Sequence, residues 1–378
     1  MQNVFQKRLK IFISAGEPSG DIHGSILMNS LKKIYPNIDF IGIGGDRMIA
    51  EGLQSIASLS DISVIGFFEV LRRSRLFLSL IKKCRFIFLH DNIDIFIPID
   101  YPGFNIKIAK YACKNKIPVY YYIAPQLWAW GKNRWKKIKN VVNKLLVVFP
   151  FEEKYFKAKN IPVEFVGHPL LDNSNFKAPI VKFKDREDII AFFPGSRKQE
   201  VIKNLKLFAE IALVLSKKLK NYKIKFAKSS NLTISDFDLL KEYNFVYELS
   251  DDSLELMKTA KIGVVKAGTS TLEAAMLGMN MIMAYKTSWT HYYMGKYLIN
   301  LEYISLPNIL LNKKIIDEYI QSGTSPVEIS NRLLYMLENT KLCESQQEEY
   351  QKIRNLLGGD GASMKAAKII LEKFTKFI

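Results

Sequence analysis

The chain of 378 residues is poor in the residues that build disulfide and metal sites. Its three cysteines, Cys84, Cys113 and Cys343, stand far apart and form no CxxC pair. That spacing excludes a disulfide framework and a thiolate zinc site, and it suits reduced, cytosolic thiols. The four histidines, His23, His90, His168 and His291, are equally dispersed, so neither a metal site nor a metal cofactor is expected. No uncharged apolar run approaches the ~18–20 residues of a membrane-spanning helix. The first ten residues are polar and the apolar run after them is short, so no secretory leader is expected.

Acidic residues are also scarce. Lys and Arg number 55 against 37 Asp and Glu, a formal net charge of +18. Only 11 of the 55 are Arg, and the excess is uneven: residues 101–160 hold 13 basic side chains and two acids. Such a field suits nucleic acid, phosphorylated substrates or an anionic bilayer. No nucleic-acid motif accompanies the charge, so no nucleic-acid partner is expected, and a basic RNA-binding protein stands only as a rival reading. Apolar residues make up 48% and charged residues 24%, the composition of a folded chain. Its length fits two domains of ~150–200 residues.

Short apolar runs at 10–14, 39–42, 93–99, 119–123, 145–149 and 164–167 alternate with amphipathic segments such as Ile22, Ile26, Leu27, Leu31 and Ile34. Continuous apolar strands between helices predict a parallel sheet covered on both faces. A polar stretch then intervenes, and the pattern restarts with strands at 189–193, 223–227, 245–248, 261–265 and 280–284. Helices are expected at 199–218, near 236–243, and at 253–260, 271–277, 327–338, 343–356 and 362–374. The expected fold class is therefore α/β, with two doubly wound Rossmann-like halves. The expected domains are an N-terminal half at 1–172, a linker at 173–188, a second half at 189–340 and C-terminal helices at 341–378. Those helices either pack back on the first half or pair with a second subunit in a homodimer. In such folds ligands bind outside the carboxyl ends of the strands, which predicts a cleft between the halves.

Three strand–loop–helix crossings carry small residues. "GEPSGD" (16–21) offers Glu17 at a strand's carboxyl end, with Ser19 and Gly20 at a helix start that is either an anion site or a plain turn capped by Ser19. "PGSRKQE" (194–200) presents Gly195, Ser196 and Arg197. Ser196 and Gln199 are spaced as a capping box, but Arg197 opposes the helix dipole unless an anion neutralises it. "KAGTSTLEAAMLG" (266–278) reads either as a structural helix start or as a site where Gly268 and Thr269 line a phosphate. Glu273 is either the ribose acceptor or, with Ser270, a second capping box. Asp100, in "IPIDYPGFN" (97–105), reads either as an N-cap or as a partly desolvated general base. "YIAPQLWAWGKNRWKKIK" (122–139) sets three tryptophans within eight residues beside a basic helix. Residues 62–90 carry six basic side chains and one acid among bulky apolar ones. This is the pattern of an interfacial helix or of a core helix with a solvated basic face.

Taken in order, these motifs resemble the lipid-A-disaccharide synthase family of GT-B glycosyltransferases. The resemblance runs through Gly16–Asp21, Gly42-Ile43-Gly44-Gly45 with Met48, Asp100–Asn105, Ala124–Trp130 with Arg134, Phe149–Glu152 and Gly167-His168-Pro169. It continues through Pro194–Arg197, Gly268-Thr269 with Thr271-Leu272-Glu273, and Ser305-Leu306-Pro307-Asn308, covering about residues 9 to 320. This sequence departs in having Ala267 where Ser is common, Gly103 where many members have a second Asp, and Gly131-Lys132 where Arg is common.

The resemblance implies an inverting transfer of 2,3-diacylglucosamine from its UDP conjugate to 2,3-diacylglucosamine 1-phosphate. The products would be a β-1,6 disaccharide 1-phosphate and UDP. It implies Asp100 as base, Arg197 stabilising the departing UDP, and Glu17 holding the sugar. Donor contacts would come from Ser19, Gly20, Gly195, Ser196, Gly268, Thr269, Glu273 and Asn308. Asn105, Trp128 and Arg134 would meet the acceptor or sugar. Acylated substrates would draw the chain to the anionic inner face of the cytoplasmic membrane through Phe67, Phe68, Leu71, Arg72, Arg73 and Arg75. A UDP-N-acetylglucosamine 2-epimerase of the same fold is the alternative.

Overall fold

The computed structural model describes residues 7–59, 74–128, 135–286 and 302–375. They divide into two units, one running to Asn173 and resuming at Leu357, the other spanning Ser174–Leu356.

The first unit alternates β1 (Leu9–Ala15), α1 (Pro18–Ile34), β2 (Ile38–Ile43), α2 (Asp46–Ala50), β3 (Leu53–Ser55), α3 (Ser74–His90), β4 (Ile95–Ile99) and α4 (Pro102–Lys114). It continues with β5 (Tyr120–Tyr122), α5 (Trp135–Lys139), β6 (Lys144–Val147), α6 (Pro150–Lys157) and β7 (Val163–Phe165). Among the described residues its strands form one parallel sheet in the order β3-β2-β1-β4-β5-β6-β7. Successive side chains of a strand leave opposite faces, so one sheet builds two cores. Phe12 and Phe96 pack with Phe77, Ile81, Phe104 and Ile108 of α3 and α4. Ile11, Ile13, Ile95 and Ile97 point the other way, onto Leu27 and Leu31 of α1.

The second unit holds β8 (Glu187–Phe193), α7 (Lys198–Lys218), β9 (Lys223–Ala227), β10 (Glu248–Ser250), α8 (Ser253–Thr259), β11 (Ala260–Val265) and α9 (Thr269–Met276). β12 (Asn280–Tyr285), α10 (Leu306–Leu311), β13 (Glu318–Ile320), α11 (Pro326–Glu338) and α12 (Thr340–Leu356) complete it. Its parallel strands lie in the order β10-β9-β8-β11-β12-β13. Phe192, Phe226, Val264 and Ile282 are covered by Leu205, Phe208 and Ile211 of α7 and by Ile329 and Leu333 of α11.

The polar stretch 173–188, read from the sequence as a linker, is stitched into this second unit. Arg186 is buried, donating from Nη1 to the carbonyls of Met257 (3.0 Å) and Ala260 (2.9 Å). Gln347 of α12 accepts from the Phe183 N–H (3.0 Å) and donates to the carbonyls of Val181 (3.0 Å) and Gly278 (2.7 Å). The C-terminal residues 341–378, grouped together from the sequence, part company: α12 stays with the second unit and α13 (Ala362–Thr375) joins the first. There Ala366, Ala367, Ile370 and Leu371 complete the α1 core. Burying an Ile or Leu contributes about 1.5–3 kcal/mol, which holds α13 in place. Asp172 accepts the N–H groups of Gly361 (2.7 Å), Ala362 (3.0 Å) and Ser363 (2.7 Å), satisfying the open donors of the helix start. The helix expected near 236–243 is a 3-10 stretch, Ile234–Glu242, with Tyr243 as its extended C-cap.

In both sheets the chain order reverses beside the first strand, between β1 and β4 and between β8 and β11. Helices leave such a pair toward opposite faces, so the loops at its carboxyl ends part and leave room for a ligand.

Candidate active site

In the first unit, the loop after β1 and the loop after β4 meet at the switch point. Gly16 is required there by contact: a Cβ on it would fall 2.3 Å from the Tyr101 ring. Glu17 follows in extended backbone as the N-cap of α1, with Pro18 in the first turn, so Ser19 is inside the helix and is not its cap. Ser19 is exposed and Gly20 is buried. Farther along the same helix, Asp21 accepts from the backbone N–H groups of Gly45 (2.8 Å), Arg47 (3.2 Å) and Met48 (3.1 Å), fixing the start of α2.

After β4, Asp100 (φ 42°) and Tyr101 (φ 48°) are consecutive left-handed residues. Each costs about 1–2 kcal/mol, so the turn must be held by specific bonds. Tyr121 Oη donates to the Asp100 carbonyl at 2.6 Å. Asn105 Nδ2 donates to the same carbonyl (2.8 Å), to that of Ile99 (3.1 Å) and to that of Ser14 (3.3 Å), while its Oδ1 accepts from Ser14 Oγ (2.8 Å). Asn105 is 0% exposed. The expectation that it meets a sugar is corrected: its amide is spent on the backbone that aims Asp100. Burial pushes the Asp100 carboxyl up to about 7, the charge of Glu17 adds to the shift, and the Tyr101 N–H opposes it. A carboxyl poised there accepts a proton near neutral pH.

Trp128 is half-buried, donates from Nε1 to Glu152 Oε1 at 2.9 Å, and meets Phe151 edge-on at 4.9 Å. Glu152 is fully buried at the start of α6 and also accepts from the N–H groups of Phe149 (3.1 Å) and Val148 (3.3 Å). Burial raises its carboxyl to about 7; the Trp128, Phe149 and Val148 donors pull it down, and Asp100 pushes it up.

In the second unit, Gly195 follows β8 with φ +132°, where a Cβ would lie 2.6 Å from Glu200 Oε2. Neither expected capping box forms. Arg197 is the N-cap of α7 and makes no side-chain cap bond. Glu200 reaches back to the Ser196 N–H (3.2 Å) because Lys266 Nζ, from the loop after β11, holds its other oxygen at 2.9 Å. Asn204 joins three segments, donating to the carbonyls of Pro194 (3.4 Å) and Glu200 (2.8 Å) and accepting from the Lys286 N–H (2.9 Å). At the other crossing Gly268 (φ +145°) is the N-cap of α9, and Thr271 Oγ1 donates to its carbonyl at 2.8 Å. Ser196, Arg197, Gly268 and Thr269 are exposed at these carboxyl ends. Glu273 has no hydrogen-bond donor among the described residues, and burial alone lifts its carboxyl to about 7.

Asn308 differs from its expected donor role. It is 0% exposed, accepts from the N–H groups of Ile315 and Ile316 (2.9 Å each), and donates to the Ile316 carbonyl and Glu318 (2.8 Å each). It shapes the turn before β13. Arg134, Phe67, Phe68, Leu71, Arg72 and Arg73 lie outside the described residues; Arg75 is exposed at the start of α3. Ser14, Tyr121, Glu152, Glu200 and Lys266 carry the geometry without having been assigned roles from sequence. Only the Pro150-x-Glu152 helix start offered a local signal.

A model of the lipid-A-disaccharide synthetase family matches residues 11–374. Lipid-A-disaccharide synthase of Trichlorobacter lovleyi is 34% identical over 372 residues, covering 96% of this chain and 97% of that protein. The synthase of Syntrophus aciditrophicus is 35% identical over 375 residues, covering 97% and 98%. Among solved structures, UDP-GlcNAc 2-epimerase from Neisseria meningitidis superposes with a TM-score of 0.64 at 13% identity, covering 97% of this chain and 100% of that one. At that identity the likeness shows the fold, of GT-B type, and not the reaction. With full-length relatives above 30% identity on the other side, the chain belongs to the lipid-A-disaccharide synthase family and is a glycosyltransferase of the hexosyltransferase kind.

Proposed function

We propose that the chain transfers 2,3-diacylglucosamine from its UDP conjugate to the 6-hydroxyl of 2,3-diacylglucosamine 1-phosphate, with inversion. The observation that carries this reading is the Asp100 carboxyl, raised to about 7 at the carboxyl end of β4 in a chain of this family. Deprotonated, it takes the proton of the acceptor hydroxyl as that oxygen attacks the anomeric carbon. The bond to UDP breaks in the same displacement, so no covalent sugar–enzyme intermediate forms. Glu17 raises the basicity of Asp100 and faces the cationic character of the transferring sugar. Trp128, set by Glu152, offers an aromatic face to a sugar ring.

The second unit takes UDP. Gly195, Ser196, Gly268 and Thr269 present backbone at two helix starts, which favour an anion. Arg197 adds a guanidinium for the negative charge of the departing diphosphate. Glu273, acceptor-only when ionised, takes the ribose hydroxyls.

The acyl chains call for a membrane surface. On α3, Leu76, Leu78, Phe86 and Leu89 are 42–62% exposed. Arg75, Lys82, Lys83 and Arg85 stand among them, and a cavity of about 260 Å³ beside them is lined by Ile81, Lys107, Lys110, Tyr111 and Lys114. None of these basic residues pairs with a carboxylate among the described residues. This face suits the anionic cytoplasmic leaflet, where each cation contributes roughly 1 kcal/mol. No helix is long and apolar enough to cross a membrane among the described residues.

The test is incubation with the two diacylated sugars, followed by NMR of the product. A new β anomeric linkage formed with stoichiometric UDP supports the reading. An α linkage contradicts inversion, and absence of a disaccharide contradicts the transfer.

A further inference from the structure

Glu200 sits in the place an anion would take. It lies in the first turn of α7, where the helix dipole favours negative charge, and it accepts a backbone N–H from Ser196. Its other oxygen takes the Lys266 ammonium at 2.9 Å, with the two side chains 17% and 21% exposed. Burial works against its charge, but Lys266, Arg197 and the Ser196 N–H together hold its carboxyl below the ordinary range. The donors gathered on this carboxylate are those that bind a phosphate: an amide N–H, an ammonium and a nearby guanidinium.

Lys266 is built to serve more than that pair. Its backbone N–H is anchored to the Phe193 carbonyl at 3.0 Å, tying β11 to β8 at the switch point. Its ammonium stands 5.3 Å from the centroid of the Tyr285 ring, which steadies the side chain without a second counter-charge. Among the described residues, its chain neighbours aside, a Cβ placed on Gly268 would come within 4 Å of the Lys266 Nζ alone, at 3.8 Å. The Lys266 ammonium therefore stands beside the start of α9. Ala267, between them, brings no hydroxyl to the turn.

We propose that Lys266 is a diphosphate-binding residue of the second unit and that Glu200 is its internal counter-ion, competing with the ligand for the same cation. A diphosphate over Gly268 draws the ammonium to its oxygens, and Glu200 keeps the Ser196 N–H. The affinity of the site is thereby set by two opposed terms, Lys266 attracting the ligand and Glu200 repelling it. This rests on the reading of the second unit as the UDP half.

The test is calorimetric titration of the full chain with UDP, inorganic pyrophosphate and uridine. Lys266→Met, which keeps an aliphatic stem against Tyr285, should weaken UDP and pyrophosphate by about tenfold or more and leave uridine unchanged. Lys266→Arg should restore most of the loss, and Glu200→Gln should bind both anions more tightly than the parent. Thermal unfolding of each variant reports whether it is folded. UDP binding by Lys266→Met within twofold of the parent, or weaker binding by Glu200→Gln, overturns the proposal. Lys266-dependent binding of pyrophosphate with no affinity for UDP leaves the anion site standing and removes the UDP reading. Binding of neither anion by the parent overturns both.

Discussion

Ser14 Oγ donates to Asn105 Oδ1 at 2.8 Å, joining the end of β1 to the first turn of α4 inside the protein. Through that bond the strand that leads to Glu17 and the turn carrying Asp100 share one buried amide. Asn105→Ala removes this bond and the donors to three carbonyls. The expected cost is about 2–4 kcal/mol of stability, since buried acceptors are left without partners. Turnover should fall more than UDP affinity, because the amide holds the Asp100 turn while the proposed UDP contacts come from the second unit. Denaturant unfolding with parallel UDP titration checks both parts.

The acid limb of the pH–rate profile should follow Asp100. Activity is expected to rise as the pH passes about 7, where the carboxyl loses its proton. Glu17 is one of the two causes that raise this group, so Glu17→Gln should move the inflection to lower pH whatever it does to the maximal rate. An inflection that stays put in this variant would separate the two carboxylates.

Stability carries the same signature with a definite sign. The Asp100 carboxyl is raised above its ordinary 3.8 in the folded chain. The stability tied to its proton is therefore complete below that value and is lost as the pH rises through about 7. Asp100→Asn should melt higher than the parent at pH 8, by a margin that shrinks as the pH falls toward 4. A margin independent of pH would mean that the carboxyl titrates normally.

The return of α13 to the first unit depends on Asp172 as well as on its apolar face. Asp172→Ala leaves three N–H groups of the helix start without their acceptor and should cost about 1–2 kcal/mol. Hydrogen exchange should quicken first in α13 and in the face of α1 beneath it.

Charge reversal at Lys107, Lys110 and Lys114 should release the protein from vesicles containing phosphatidylglycerol, with little effect on UDP affinity. Unchanged co-sedimentation would remove this face from membrane docking.

The long parallel strands were legible because a strand buried on both faces reads as an unbroken apolar run, as in Ile95–Ile99 or Ile262–Val265. The short edge strands were not. β3 buries only Leu53, and β13 is half-exposed throughout, so neither leaves a pattern. At the site, the loops and Asp100 could be placed from sequence because they follow such runs directly. Whether a polar motif residue faces a ligand or the backbone could not, since Asn105 and Asn308 look alike to Glu17 in a string of letters yet are wholly buried. Ser196 and Gln199 had the spacing of a cap, but Lys266, brought in by the fold, drew Glu200 into that place instead.

The most direct measurement is the turnover of Asp100→Asn with the two diacylated sugars, beside its affinity for UDP. The rate should fall by about 10²–10⁴-fold while UDP binds as tightly as in the parent. Near-normal turnover, or loss of turnover together with UDP binding, would contradict Asp100 as the base of the transfer.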